Sequence, residues 1–211
     1  MEYPKSLSFG GYVFLVDEKV YEPAEDTFLL TENLKVKENE VVLDMGTGCG
    51  ILAVLATEKA KKVVATDINP YAIKCAEKNA KMNHVEDKIE FRLGDLFQPI
   101  RTDETFSLIL FNAPYLPSES YEEKSWIGRA WTGGPSGRKV IDRFITDALE
   151  FLTADGKILL VQSSLSDIHK TMERFDETDL KASIVAESKF PFEKIVLIEA
   201  NSRQCLKKNS P

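Results

Sequence analysis

The sequence predicts an α/β fold: one domain built on a mostly parallel sheet with one antiparallel strand and helices on both faces. Three observations lead there. From Val41 onward, short β-rich runs alternate with helical patterns, which is how a parallel sheet with crossover helices reads. The last two β-rich runs are separated only by Lys189-Phe190-Pro191-Phe192-Glu193, too short for a right-handed parallel crossover, so they pair as an antiparallel hairpin. At 211 residues the chain suits a single domain with a substantial core.

Residues 1–40 form an N-terminal cap segment ahead of the sheet. In it, Tyr21-Glu22-Pro23-Ala24-Glu25-Asp26-Thr27 leads into Phe28-Leu29-Leu30 and Leu34, and Pro23 with the early acids marks a helix start. The core, 41–200, carries seven predicted strands at 41–45, 63–67, 89–93, 106–111, 157–162, 182–188 and 194–200. Between 63–67 and 89–93, Asn69 can cap a helix, Pro70 fits its first position, and Ala72, Ile73, Ala76 and Ala80 form a small apolar stripe. From Pro114 to Gly137 the chain is rich in Gly and Pro without a period, too long for an ordinary connection. Its Trp126 and Trp131 predict an ordered lid. A helix over 138–152, with Ile141, Phe144, Ile145, Leu149 and Leu152, returns the chain to the sheet. The polar end, 202–211, reads as a frayed tail.

Composition narrows the function classes. With 43% hydrophobic and 29% charged residues, and no apolar run near eighteen residues, no membrane span is expected. The opening residues lack a basic-then-apolar signal pattern, and a cytoplasmic location is the expectation. Cys49, Cys75 and Cys205 lie far apart and only His84 and His169 accompany them, which argues against disulfides and against a structural zinc site. A net charge of −7 argues against an unaided grip on nucleic acid, and Lys74, Lys78, Lys81 and Lys88 read as solvated helix surface.

The chemistry gathers at strand ends. Strand 41–45 runs into Asp44-Met45-Gly46-Thr47-Gly48-Cys49-Gly50, where glycines let a ligand approach the backbone. The spacing is GxGxG rather than GxGxxG, and the acid ahead of it repels phosphate while suiting an ammonium. Asp67, about twenty residues on, suits both hydroxyls of an unphosphorylated ribose. Asp95, in Gly94-Asp95-Leu96-Phe97, can accept from an adenine amino group. After strand 106–111 come Asn112-Ala113-Pro114-Tyr115, which suit a planar NH2 whose lone pair is delocalised. The Asn112 side-chain carbonyl supplies one acceptor, the next backbone carbonyl a second, and Tyr115 lies against the plane. Pro114 biases Ala113 towards extended backbone. These residues fall at the C-terminal ends of four successive strands, where open α/β sheets bind ligands.

Together the glycine loop, the acids, the tetrapeptide and the closing antiparallel strand resemble class I S-adenosylmethionine-dependent methyltransferases of the Asn-Pro-Pro-Tyr amino-methylating group. The segments Val20–Thr27 and Ala130–Phe144 resemble the release-factor glutamine methyltransferases, in the compact archaeal and eukaryotic form, over roughly residues 10 to 200. The resemblance implies a seven-stranded, Rossmann-like class I methyltransferase domain. It implies that Tyr21 and Thr27 close over S-adenosylmethionine, that Asp44, Gly46, Gly48 and Gly50 hold its methionine part, Asp67 its ribose, and Asp95 with the Leu96 backbone its adenine. It places Asn112 beside both donor and acceptor, with Ala113, Pro114 and Tyr115 completing the catalytic segment. The implied reaction, without a metal, methylates the glutamine of a release factor's Gly-Gly-Gln loop and leaves S-adenosylhomocysteine. Ala113 departs from the family's usual proline but keeps the carbonyl. The resemblance also implies a small zinc-binding activator that adds to a sheet edge, with 89–93 a plausible place. Two other classes stay open: a nucleic-acid amino-methyltransferase acting on adenine N6 or guanine N2, and a non-catalytic donor-binding scaffold.

Overall fold

A tight β-hairpin opens the computed structural model, which describes residues 5–119 and 124–202: β1 (Lys5–Phe9) pairs antiparallel with β2 (Tyr12–Val16). Sequence patterning did not show it, because its apolar residues belong to a cap that packs on a helix rather than to the sheet. There follow α1 (Glu25–Asn33), β3 (Val41–Met45), α2 (Ile51–Ala56), β4 (Lys62–Asp67), α3 (Pro70–Met82), β5 (Ile89–Leu93) and β6 (Phe106–Asn112). The second half adds α4 (Trp126–Trp131), α5 (Lys139–Ala148), β7 (Leu152–Ser163), α6 (Ile168–Glu177), β8 (Leu180–Lys189) and β9 (Lys194–Ser202).

All seven predicted strands form one sheet of order β5-β4-β3-β6-β7-β9-β8, flanked by helices. Strand β9 runs antiparallel to both β7 and β8, and every other pairing in this sheet is parallel. The parallel centre is apolar because both faces are covered: Val42, Leu43, Leu108, Ile109 and Leu110 are all buried. Of the predicted helices, α3 fits best: Asn69 caps it by accepting the Tyr71 N–H at 2.9 Å, and Pro70 takes its first position. Helix α1 starts at Glu25, two residues past Pro23, and its capping residue Ala24 makes no side-chain cap.

The largest departure from the expected boundaries lies between α5 and β7. Helix α5 stops at Ala148, a single 3-10 turn covers Leu149–Phe151, and β7 begins at Leu152, five residues ahead of the predicted strand. Pairing of Leu152 with Phe106 wins this stretch for the sheet, and an irregularity follows before Lys157 pairs with Leu108. The predicted tail lies outside the described residues except for Ser202, which ends β9.

Strand β6 and helix α5 are locked by rings. Phe144 stacks on Phe97 at 5.6 Å and meets Phe111 at 4.8 Å, and Phe97 stacks on Phe151 at 4.6 Å. Truncating a fully buried Phe such as Phe144 costs about 3–5 kcal/mol. Because Phe111 immediately precedes Asn112, this packing also fixes the strand end that carries the tetrapeptide. No helix among the described residues is long and apolar enough to cross a membrane.

Candidate active site

A cavity of about 480 Å³ opens at the C-terminal ends of β3, β4 and β6, a size suited to a small ligand or cofactor. Its wall unites most residues singled out from sequence: Tyr21, Thr27, Gly46, Gly48, Asp67, Asp95, Leu96 and the whole run Asn112–Tyr115. The lid contributes Trp126, Arg129 and Trp131.

Asp44 and Gly50 lie behind the wall rather than on it. Asp44 has no exposed surface; one oxygen accepts the Thr47 hydroxyl at 2.6 Å and the Ala53 N–H at 3.1 Å, so it staples the glycine loop to the start of α2. Its other oxygen has no partner among the described residues. Burial raises this carboxyl to about 7, with the nearby Asp67 charge adding to the rise against the two hydrogen bonds. Gly50 has φ +87°, and a Cβ there would meet that of Ala76 at 2.9 Å, so this glycine lets α2 and α3 close on each other.

Asp67 sits where a ribose-binding acid was expected. It accepts the Gly48 N–H at 3.0 Å and the Asn69 N–H at 2.8 Å, tying the loop to the end of β4. Burial lifts it to about 6 despite these bonds. A carboxylate has about four lone-pair directions, so both oxygens keep capacity for hydroxyl donors. Asp95 is already engaged, by the Arg143 guanidinium at 2.8 Å, a partner from α5 that sequence inspection missed. Leu96 holds φ +48°, strained for a side chain of its size, on the cavity wall.

At the other end stands a hydrogen-bonded chain centred on Asp26, which in the sequence reads only as an early acid of a helix start. Asp26 is buried and accepts the Tyr21 hydroxyl at 3.1 Å, the Tyr115 hydroxyl at 3.0 Å, and the Thr27 backbone N–H at 2.6 Å. The Thr27 hydroxyl donates to Asp26 at 3.2 Å, which leaves its lone pair to take the Asn112 amide N–H at 3.2 Å. The amide of Asn112 is thereby oriented: its nitrogen is committed to Thr27. Its carbonyl oxygen is shielded from solvent and has no partner among the described residues. Leaving such an acceptor unsatisfied costs about 1–3 kcal/mol.

Three asparagines bring Tyr21 and Asp26 to this place. Asn79, fully buried in the apolar stripe of α3, accepts the Leu15 N–H at 2.9 Å and donates to the Leu15 and Cys49 carbonyls, each at 2.8 Å. One helical turn on, Asn83 does the same with Val13, accepting at 3.0 Å and donating at 2.8 Å. Asn69 donates to the Lys19 carbonyl at 2.8 Å. Two side-chain amides thus imitate a strand edge for β2. The readable signal was a polar residue inside the small apolar stripe, whose buried members are Ala72, Cys75, Ala76 and Ala80, the Ile73 expected among them being only half-buried.

The predicted lid is ordered where described. Leu116 bonds the Trp131 carbonyl and Gly133 bonds back to Leu116, each at 2.9 Å, while Arg129 lies over the Trp126 ring. Residues 120–123 of this segment lie outside the described residues. Gly137 has φ +71°, and a Cβ there would stand 2.3 Å from the Tyr115 carbonyl oxygen. The buried Arg138 then anchors the returning chain to the Ser166 and Asp167 carbonyls and the Thr171 hydroxyl.

Comparison with known proteins agrees with this geometry. The family model of ribosomal protein L11 methyltransferase (PrmA) matches residues 27–113. A protein of Methanocaldococcus jannaschii named putative protein N5-glutamine methyltransferase is 42% identical over 92% of this chain and 98% of its own length. A release factor glutamine methyltransferase of Rhodopirellula baltica is 30% identical over 74% of this chain and 59% of its own. Among solved structures, the Mtq2–Trm112 complex of E. cuniculi, described as responsible for methylating the eRF1 termination factor, contains a chain with a TM-score of 0.64 and 24% identity, over 87% of this chain and 99% of that one, a likeness of fold. With a class I methyltransferase sheet, an ordered tetrapeptide at the end of β6 and near-full-length similarity to such a relative, the chain belongs to the protein N5-glutamine methyltransferase family.

Proposed function

We propose that this protein uses S-adenosylmethionine to methylate the side-chain amide nitrogen of the glutamine in the Gly-Gly-Gln motif of a class I peptide release factor. The observation that carries the acceptor chemistry is the Asn112 amide: its nitrogen is spent on Thr27, and its oxygen is an unsatisfied acceptor beside the cavity. Such an oxygen is the counterpart of an amide N–H.

The cavity fits the donor. Gly46 and Gly48 bring backbone to its wall, Asp67 offers oxygens to ribose hydroxyls, and Leu96 with Asp95 borders a place for adenine. S-adenosylmethionine supplies an electrophilic methyl on a sulfonium that is already a good leaving group. What the chain must then do is position the amide. Asn112 and the Ala113 carbonyl accept its two N–H groups, Pro114 restrains that carbonyl, and Tyr115, its hydroxyl fixed on Asp26, lies against the planar group. Alanine at 113 keeps the one atom the role needs.

A partner accompanies this reading. Strand β5 is a sheet edge, and its Leu93 is 56% exposed, which suits addition of a small zinc-binding activator subunit, as the E. cuniculi complex pairs Mtq2 with Trm112. The reaction belongs in the cytoplasm, where release factors work. Acidity disfavours the nucleic-acid reading, and Arg143 at the cavity is bound to Asp95 rather than available for phosphate. Incubation with radiolabelled donor and either a release factor or an oligonucleotide separates the classes. Label is expected on the protein's Gly-Gly-Gln glutamine, and lost with Asn112→Ala while donor binding stays; label on the oligonucleotide, or equal loss of transfer and binding, refutes the assignment.

A further inference from the structure

Beyond the cavity, the strongest unexplained feature is the tip of the β8–β9 hairpin. Phe192 is 94% exposed and Phe190 beside it 38%, in a protein that buries most of its large apolar side chains. The turn is tight: Phe190 N–H bonds the Glu193 carbonyl at 2.8 Å, and the Glu193 N–H returns to Phe190 at 3.4 Å, leaving Pro191 and Phe192 as the two-residue loop. Proline presets one backbone angle there. At its base the Lys194 N–H is held by the Ser164 hydroxyl at 3.0 Å. A ring displayed on so short a turn loses little freedom when a partner covers it.

The sheet register says where this tip stands. Asn112 on β6 is level with Val161 on β7, Val161 with Leu197 on β9, and Leu197 with Ala186 on β8. Because β9 is reversed, moving back along it from Leu197 to Lys194 climbs past the C-terminal ends of the parallel strands. The turn therefore rises on the same side as the cavity, on the order of 15 Å from Asn112 at ordinary strand spacing and rise.

Its charge picture selects the kind of partner. Lys189 and Lys194 both pair with Glu187, at 3.0 and 3.3 Å, and with Glu193 included the carboxylates and ammonium groups of the tip cancel. A neutral, aromatic point suits an apolar pocket on a folded protein and offers little to a phosphate backbone. We propose that the Phe190–Phe192 tip is a docking point for the body of the acceptor protein, gripping it beside the loop whose glutamine enters the cavity. This rests on the glutamine reading above, since a base acceptor would bring phosphates to the same rim.

The experiment compares wild type, Phe192→Ser and Phe192→Tyr in steady-state methyl transfer to an intact release factor and to a short peptide bearing Gly-Gly-Gln. For the intact protein, Phe192→Ser is expected to raise KM about ten- to thirty-fold with kcat held, as truncating an aromatic anchor does at an interface. Constants for the peptide and binding of the donor should not move, and Phe192→Tyr should behave as wild type. An unchanged KM for the intact protein, or an equal rise for the peptide, overturns the docking role while leaving glutamine methylation standing. A wild type that methylates neither protein nor peptide overturns both readings, and an oligonucleotide acceptor whose KM follows Phe192→Ser shows the ring stacking on a base instead.

Discussion

Tyr115 donates its hydroxyl to the Asp26 carboxylate at 3.0 Å across 89 positions of sequence. Tyr21 donates to the same group, so one buried acid holds rings from the cap segment and from the tetrapeptide. Burial, reinforced by the Asp26 charge, holds both phenols above their ordinary value, and both stay protonated donors at neutral pH.

Asp26→Asn should preserve the fold and slow the reaction. An asparagine still offers one acceptor to the tyrosines, but its NH2 can face the Thr27 oxygen and turn the hydroxyl proton towards Asn112. That reverses the donor and acceptor order that orients the Asn112 amide. A fall in kcat of about ten-fold or more, with a thermal midpoint near wild type, is the expected pattern, an oxyanion-type donor or acceptor misplacement being worth that much. An unchanged kcat would show that the chain through Thr27 does not orient the amide.

Asn79→Ala tests the link between hairpin and glycine loop. Removing the amide strands the Leu15 N–H and weakens the hold on the Cys49 carbonyl, at about 1–3 kcal/mol for a buried unpaired group. For a chain of this length each kcal/mol lowers the thermal midpoint by roughly 2–4 °C. Calorimetry reads the shift, and donor titration should show weaker binding because Cys49 lies on the cavity wall.

Stability should fall as pH rises from 5 to 8, and Asp44→Asn should flatten that slope. Burial lifts Asp44 to about 7 and Asp67 to about 6, against 3.8 for an ordinary aspartate, so in this window the folded chain keeps protons that the unfolded chain has released. Their contribution is full below the unfolded value and is lost as pH passes through 6 and 7. Glu104 behaves oppositely: its hydrogen bond and ion pair with Arg92 hold it at about 2, so what it adds is present above the ordinary glutamate range and lost only in acid. Urea unfolding at pH 5 and pH 8 reads the difference.

Gly137→Ala should disturb the Asn112–Tyr115 segment from the lid side. The added methyl collides with the Tyr115 carbonyl oxygen at 2.3 Å, and φ +71° is itself unfavourable to alanine. Loss of most methyl transfer and a lowered thermal midpoint are expected; wild-type kinetics would mean that the lid and Tyr115 move independently.

Much of the fold was legible because it rests on local pattern. Short β-rich runs alternating with helical patterns located all seven strands of the sheet, the short Lys189–Glu193 link dictated the reversed strand, and Asn69 with Pro70 marked α3. Gly46, Gly48, Asp67 and Asn112 were readable too, since a strand's end and an open sheet's ligand edge are the same place.

The sequence by itself determined the sheet, its one reversed strand and which residues gather at its C-terminal edge, because backbone propensity and side-chain periodicity are properties of neighbours along the chain. Only the tertiary structure decided that Asp44 lies under the loop, that Asp95 is shared with Arg143, and that Asn79 and Asn83 serve β2 as a strand would. It alone made Asp26 the meeting point of Tyr21, Thr27 and Tyr115. A carboxylate's partners are chosen by which hydroxyls folding delivers within hydrogen-bond reach, and that distance is set by packing across the whole domain.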